Sequence, residues 1–125
     1  MLLDLDGHCG LIDFGFACAP PGGPDGLMRT NCGTPAYLSP EQLSRKKTGG
    51  YTRIVDWWAF GCLLYELVSG TSPFRTQEAR KLYEGDAVAS ANQATLEMSV
   101  EYPSYFSDDL KDLLEKLLEK DPEKR

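Results

Sequence analysis

The clearest hydrophobic pattern lies near the end of the chain. The segment after Ser107 carries leucines at helical spacing on one face, namely Leu110, Leu113, Leu114, Leu117 and Leu118. Ser107 can cap this helix, and Asp108 and Asp109 favour the positive end of its dipole. The pattern predicts an amphipathic helix with its leucine face toward the core, ended by Asp121-Pro122.

A longer apolar stretch predicts a central helix over residues 52–69. It is apolar on most of its faces, so we expect neighbours to bury it on several sides. Thr52 is the expected N-cap, and Gly70 is the expected stop. A capping box over residues 39–42 predicts the start of a further helix.

The remaining segments predict a hairpin, a loop and one more helix. Residues 1–12 predict two short strands joined by a tight turn at Asp6-Gly7. Residues 17–31 predict a loop, because the prolines and glycines clustered there cannot hold a regular ladder. Residues 76–85 predict an amphipathic helix, and residues 86–100 are expected to be loop with some helix. The expected fold class is therefore mainly α, with a short N-terminal β-hairpin.

Composition narrows the class of protein. The chain has 125 residues and a net charge of −6, and its Lys and Arg residues form no basic stripe, so no nucleic-acid partner is expected. The longest apolar stretch is too short and too interrupted by acids for a membrane span. The chain has four cysteines without C-x-x-C spacing and a single histidine, so a zinc site is not expected. Reduced thiols in an intracellular, cytoplasmic compartment are the expectation.

Candidate chemistry begins at Asp13-Phe14-Gly15, directly after the predicted return strand. A carboxylate just beyond a strand end can hold a divalent cation against phosphate oxygens. Phe14 can anchor in a core, and Gly15 permits the backbone to turn. Taken alone, however, the tripeptide is better explained as an ordinary turn after a strand.

Three further motifs change that interpretation by their order and spacing. They are Cys32-Gly33-Thr34-Pro35-Ala36-Tyr37-Leu38-Ser39-Pro40-Glu41, Val55-Asp56-Trp57-Trp58-Ala59-Phe60-Gly61 and Leu117-Leu118-Glu119-Lys120-Asp121-Pro122-Glu123-Lys124-Arg125. Together with D-F-G they resemble the second half of a eukaryotic serine/threonine protein kinase catalytic domain. The D-F-G-F-A, C-G-T-P and V-D-W-W runs resemble the AGC group of these kinases.

The resemblance covers residues 1–125 and implies a partial kinase domain. It assigns residues 1–12 to a hairpin, 13–41 to the activation segment, 52–69 to the central helix and 76–125 to the C-terminal helices. The intact parent would transfer the γ-phosphate of ATP, with Mg²⁺, to a serine or threonine of a protein substrate.

The resemblance also implies roles at the nucleotide site and in the activation segment. Asp13 would bind the metal, and Phe14 and Gly15 would complete the nucleotide-site motif. Thr30 would carry the activating phosphate, added by an upstream kinase, although an ordinary loop threonine is the alternative. Thr34 would support the catalytic aspartate.

Substrate and structural roles follow from the same resemblance. Pro35 and Leu38 would line the pocket for the residue after the phosphoacceptor. Glu66 would bind a substrate arginine, and a solvated helix face is the equally supported alternative. The implied structural residues are Glu41, Arg125, Asp56, Trp58 and Gly61: the first two as a buried ion pair, Asp56 holding the catalytic-loop backbone, and the last two as packing residues.

Several kinase elements have no counterpart in this sequence. It holds no H-R-D-x-x-x-x-N catalytic loop, no Gly-rich loop and no strand lysine with its helix glutamate. We therefore expect this chain alone to be inactive and not to hold Mg²⁺ and ATP. The alternatives are a non-catalytic substrate-docking or decoy module and a nonfunctional truncated product. The central helix would also lack neighbours, so aggregation or dependence on a partner is expected.

Overall fold

A computed structural model describes residues 1–30, 32–83 and 85–125. An antiparallel hairpin of β1 (Leu2–Leu3) and β2 (Cys9–Gly10) opens the chain. A 3-10 turn over Pro35–Tyr37 is followed by the helices α1 (Pro40–Leu43), α2 (Arg45–Thr48), α3 (Val55–Ser69), α4 (Gln77–Leu82), α5 (Ala87–Glu97) and α6 (Asp108–Leu117). The mainly α fold with a short N-terminal hairpin is confirmed.

The hairpin is shorter than predicted and fully exposed. The turn falls where it was predicted, with Gly7 in the left-handed region at φ +86°. Asp4 accepts backbone hydrogen bonds from Asp6 and His8 through one carboxylate oxygen, at 3.0 and 2.8 Å. The return strand ends at Gly10 rather than Ile12, because pairing with β1 stops there.

Helix α3 packs its buried face against α6 and an aromatic cluster. The buried residues of α3 are Val55, Trp58, Gly61, Cys62 and Tyr65. The Trp58 ring stacks on Phe74 with centroids 5.5 Å apart. A Cβ atom at Gly61 would lie 2.9 Å from the Cβ of Leu117, so only glycine lets α6 come this close.

The start of α3 differs from the prediction, whereas its end agrees. The helix begins at Val55, and residues 52–54 form a tighter turn in which the amide of Val55 bonds the carbonyl of Thr52 at 3.3 Å. Among the described residues, the Thr52 hydroxyl accepts only from the amide of Ile54, at 3.4 Å, so Thr52 does not cap α3. Gly70 ends the helix in the left-handed conformation, as predicted.

The prediction for residues 86–100 was only partly right: some helix was expected, but α5 is an 11-residue helix that covers most of the segment. Asp86 caps it by accepting from the amides of Val88 and Ala89 at 2.9 and 2.8 Å. Its buried positions are small or polar, including Ala91 and Ala94. Small residues give little hydrophobic contrast, so the helical period was weak in the sequence. Glu84, inside the predicted 76–85 helix, lies outside the described residues, and α4 itself ends at Leu82.

Helix α6 is amphipathic but shorter than predicted. Ser107 caps it through the amide of Leu110 at 3.2 Å, as predicted. It ends at Leu117 rather than at Asp121-Pro122. Leu113, predicted on the core face, is 44% exposed, while Leu114 is fully buried.

Another face of α3 remains exposed, as expected for a central helix that lacks some of its neighbours, although the apolar pattern alone predicted burial on several sides. Its large apolar side chains there are Trp57 (57% exposed), Phe60 (42%), Leu67 (69%) and Val68 (43%). We call these four residues the α3 patch. Within the described ranges, no helix combines the length and apolarity needed to cross a bilayer.

We predict that the α3 patch drives self-association of the isolated chain, because soluble monomers rarely expose contiguous apolar patches beyond a few hundred Å². The double substitution Trp57→Gln and Leu67→Glu should lower the average particle mass in light scattering over a concentration series. Ser104→Glu adds one acidic charge at an exposed position outside the patch. Equal improvement by Ser104→Glu would contradict the prediction.

Candidate functional site

Arg125 joins three separate parts of the chain. Its Nη1 and Nη2 atoms donate to Oε1 and Oε2 of Glu41 at 2.7 and 3.2 Å. Its Nε donates to the carbonyl of Glu119 at 2.9 Å, and its guanidinium lies 5.0 Å over the Trp58 ring. The Arg125 and Glu41 side chains are only 1% and 7% exposed. A bidentate, buried ion pair therefore connects α1 with α3 and with the segment after α6.

Helix α1 is positioned by its own cap as well as by this ion pair. The Ser39 hydroxyl accepts from the amide of Gln42 at 3.3 Å, and the Gln42 side chain accepts from the amide of Ser39 at 3.0 Å. This reciprocal capping box was predicted and is confirmed. Because Glu41 lies in the first turn, the box orients its carboxylate toward Arg125.

A tyrosine connects the Pro35–Tyr37 turn with α3. Tyr37 donates its hydroxyl to Oε2 of Glu66 at 3.0 Å. Burial raises the pKa of Tyr37, and the Glu66 carboxylate adds to that rise, so the hydroxyl stays a donor at neutral pH. Glu66 is thus a half-buried acceptor rather than a fully solvated helix residue.

Thr34, Pro35 and Leu38 lie on this same turn. The Thr34 carbonyl accepts from the amide of Tyr37 at 2.9 Å, which closes the turn. Thr34 and Pro35 are exposed, and Leu38 is half-buried beside Gly33. The turn therefore presents a small surface beside the Glu66 carboxylate.

Asp13 adopts an unusual backbone conformation. Its φ is +64°, the left-handed region that a residue with a Cβ rarely enters. Gly15 was expected to provide the turn, but its φ is not positive. A Cβ atom at Gly15 would lie 3.3 Å from the Asp13 carboxylate. Left-handed aspartate is a form of stored strain that clusters at functional sites.

Phe14 was expected to anchor in the core, but it lies on the surface. Its ring is 68% exposed, and that of Phe16 is 76% exposed. The amide of Ala17 bonds the carbonyl of Phe14 at 3.0 Å, so the tripeptide leads into a tight turn on the surface. Core residues of the described part of the chain lie elsewhere, around α3 and α6.

The residues present do not by themselves fit a magnesium–nucleotide complex. Mg²⁺ is usually held by one or two carboxylates together with substrate phosphates. Within the described ranges, Asp13 belongs to no cluster of three metal-type ligands, and the cluster that exists is Asp4, Asp6 and His8 in the exposed hairpin turn. Hydrogen bonds of that turn already explain this cluster.

Thr30 and Asp56 are both exposed. The Thr30 carbonyl accepts from the hydroxyl of Tyr51 at 2.8 Å. The neighbouring Asn31 lies outside the described residues. Asp56 lies in the first turn of α3, and its carboxylate has no hydrogen-bond partner within the described ranges. The described residues therefore do not provide the backbone that Asp56 was expected to hold.

No sequence signal indicated that Tyr37, Tyr51 and helix α5 contribute to this site. Helix α5 packs against both the Pro35–Tyr37 turn and α1. Tyr37 stood inside a recognised motif, but its bond to Glu66 spans 29 positions and has no local signal. Tyr51 follows Gly49-Gly50 and lies outside all four motifs, so its sequence position carried no signal for this role.

A family model described as a protein kinase domain matches residues 1–125. The chain belongs to the protein kinase domain family. It is 39% identical to a RAC family serine/threonine-protein kinase homolog of Dictyostelium discoideum, 40% to protein kinase C delta type of Mus musculus and 38% to cAMP-dependent protein kinase type 3 of Saccharomyces cerevisiae. Each match covers the whole of this chain.

The kinase-domain chain is much shorter than these relatives. It spans 26%, 17% and 27% of their respective lengths. The Glu41–Arg125 pair, the Tyr37–Glu66 bond and the left-handed Asp13 all belong to this matched region.

We predict that Glu41→Gln lowers the free energy of unfolding by about 3–5 kcal/mol, because it leaves the Arg125 charge buried and uncompensated. Urea unfolding followed by circular dichroism measures the loss. Asp112→Asn is the matched control, since it breaks an exposed ion pair with Lys116 and should cost at most about 0.5 kcal/mol. Equal losses in the two variants would contradict a special role for the buried pair.

Proposed function

We propose that this chain is the part of an AGC-group serine/threonine protein kinase that supplies the DFG motif, the activation segment and the peptide-substrate surface. The observation that carries the proposal is the way residues 33–41 are held. Glu41 is fixed by Arg125 at one end of this stretch, and Tyr37 is fixed by Glu66 in its middle. Thr34 and Pro35 between Gly33 and Tyr37 stay exposed.

This arrangement suits recognition of an extended peptide. A rigid turn with exposed Thr34 and Pro35 and half-buried Leu38 supports contact with the residue after a serine or threonine acceptor. Glu66 accepts from Tyr37 through one oxygen, and its second oxygen makes no hydrogen bond with the described residues. A carboxylate held in this way favours a substrate arginine, whose guanidinium pairs well with carboxylates.

Asp13 is proposed as the metal ligand of the intact kinase, with Phe14 and Gly15 as its motif partners. Its strained backbone and exposed carboxylate support that role. When bound, Mg²⁺ with ATP would supply the transferable phosphoryl group and neutralise its charge. The sequence lacks the catalytic loop and the lysine that would hold the phosphates beside Asp13, so the function proposed for the isolated chain is peptide recognition rather than catalysis.

Thr30 is proposed as the activating phosphorylation site, modified by an upstream kinase. Its exposure supports access to such an enzyme. Arg29 is adjacent, but its Nε donates to the carbonyl of Gly49 at 2.9 Å, so it is already engaged. Asp56, Trp58 and Gly61 are proposed as structural residues of the same domain.

A second candidate function is a non-catalytic docking module. The observation that favours it is that the Tyr37–Glu66 and Glu41–Arg125 contacts form within this chain alone. A decoy needs only the peptide surface, so peptide binding without phosphoryl transfer distinguishes it from a nonfunctional product.

We predict no phosphoryl transfer by the purified 125-residue chain, because the sequence lacks the catalytic loop and the nucleotide-anchoring lysine. The measurement is transfer of radiolabelled γ-phosphate from ATP, with Mg²⁺, to a mixed serine/threonine peptide library. Asp13→Ala sets the background. Incorporation by the unmodified chain above that background would show that the half-site is sufficient.

We predict that the chain binds arginine-containing peptides about tenfold more tightly than matched peptides with the arginine replaced by alanine. Fluorescence anisotropy of the labelled peptides measures the difference. Glu66→Gln should abolish the preference, because the carboxylate becomes a neutral amide.

Glu78→Gln is the control, since Glu78 is an exposed acid in the first turn of α4. It removes the same charge from the chain and should leave the preference unchanged. If Glu66→Gln keeps the preference for arginine-containing peptides, Glu66 does not bind the substrate arginine.

A further inference from the structure

Residues 28–30 are held by a short segment that none of the four motifs includes. Met28 and Tyr51 exchange backbone hydrogen bonds at 2.8 and 2.9 Å, which forms an isolated antiparallel bridge. The side chain of Arg29 donates to the carbonyl of Gly49 at 2.9 Å. We call residues 49–51 the clamp.

The Tyr51 side chain extends this hold by two residues. Its hydroxyl donates to the carbonyl of Thr30 at 2.8 Å, and the thiol of Cys32 lies 3.8 Å from the Tyr51 hydroxyl oxygen. Tyr51 is only 5% exposed. Burial raises the pKa of its phenol, and the Cys32 contact adds to the rise, so the hydroxyl remains protonated at neutral pH.

The two bridged segments lie too close together for a side chain at position 50. A Cβ atom on Gly50 would lie 2.7 Å from the carbonyl oxygen of Met28 and 3.2 Å from the Cβ of Leu27. Gly50 also has φ +151°, which disfavours residues with a side chain. Glycine at this position therefore permits the bridge, and Tyr51 then completes it.

We propose that Tyr51 is a positioning residue that holds the backbone around Thr30 in one register before any phosphate is added. The hold uses the Thr30 carbonyl and leaves the Thr30 residue exposed, so the hydroxyl stays accessible. The segment from Met28 to Thr30 is thus ordered by the clamp rather than by modification. The consequence for phosphorylation rests on the proposed function, whereas the hold itself rests only on the contacts above.

Tyr51→Phe tests the hold because it removes one hydroxyl and keeps the buried ring. We expect trypsin to cleave after Arg29 about fivefold faster relative to its cleavage after Arg75, since cleavage tracks the population of the locally open state. Arg29 and Arg75 are both exposed, and Arg75 lies outside the clamp. Amide hydrogen exchange at Met28 and Tyr51 should accelerate by a similar factor.

Tyr65→Phe is the matched control. Tyr65 is also buried, and its hydroxyl also donates to a backbone carbonyl, that of Glu101, at 2.8 Å. It should change overall stability without changing the Arg29-to-Arg75 cleavage ratio, because its bond lies away from the clamp.

Two results would overturn the proposal. These are an unchanged ratio in Tyr51→Phe and the same rise in Tyr65→Phe. Neither readout requires ATP, phosphate or a peptide. Failure of the clamp is therefore distinguishable from failure of the proposed kinase function.

Discussion

A buried guanidinium must find partners on every side, and in this chain Arg125 finds them in distant segments. Its charge is matched by Glu41, its Nε by the carbonyl of Glu119 and its flat face by Trp58. Burial of an ion makes the pair costly to break even if it adds little net stability. The first turn of α1 and the segment after α6 are therefore held together by the need to pair the buried Arg125 charge. The position of residues 33–41 on the α3 surface follows from that placement.

Helix α3 provides the platform for these contacts, but only on part of its surface. One side contributes Trp58, Gly61 and Tyr65 to the core, and Glu66 accepts a hydrogen bond from Tyr37 in the Pro35–Tyr37 turn. The α3 patch on the other side has no cover within the described ranges. The Pro35–Tyr37 turn is thus well supported, whereas Asp13 and Phe14 lie on an exposed loop. This asymmetry is the physical reason for proposing peptide recognition rather than catalysis for this chain.

Short sequence motifs correctly predicted the helix starts that depend on hydrogen bonds between residues close together in the chain. The Ser39–Gln42 capping box and the Ser107 cap each depend on hydrogen bonds across three residues, and both were found as predicted. The extent of the α5 helix was underestimated because its buried positions are alanine, serine and threonine, which give a weak hydrophobic period. Thr52 has the right chemistry for a cap, but an intervening turn moved the start of α3 beyond its reach.

The sequence by itself determined the family, the order of the motifs and the helix caps, because these depend on residue identity over short spans. It also pointed to Glu41 and Arg125 as partners, through motif resemblance rather than through any local pattern. Only the tertiary structure decided which face of α3 is buried, that Tyr37 meets Glu66 and that Tyr51 reaches Thr30. Those contacts join positions 21 and 29 residues apart, and their formation depends on the path of the intervening chain. The chemistry of a side chain can be read from its own position in the sequence, whereas contacts between distant positions depend on how the helices pack together.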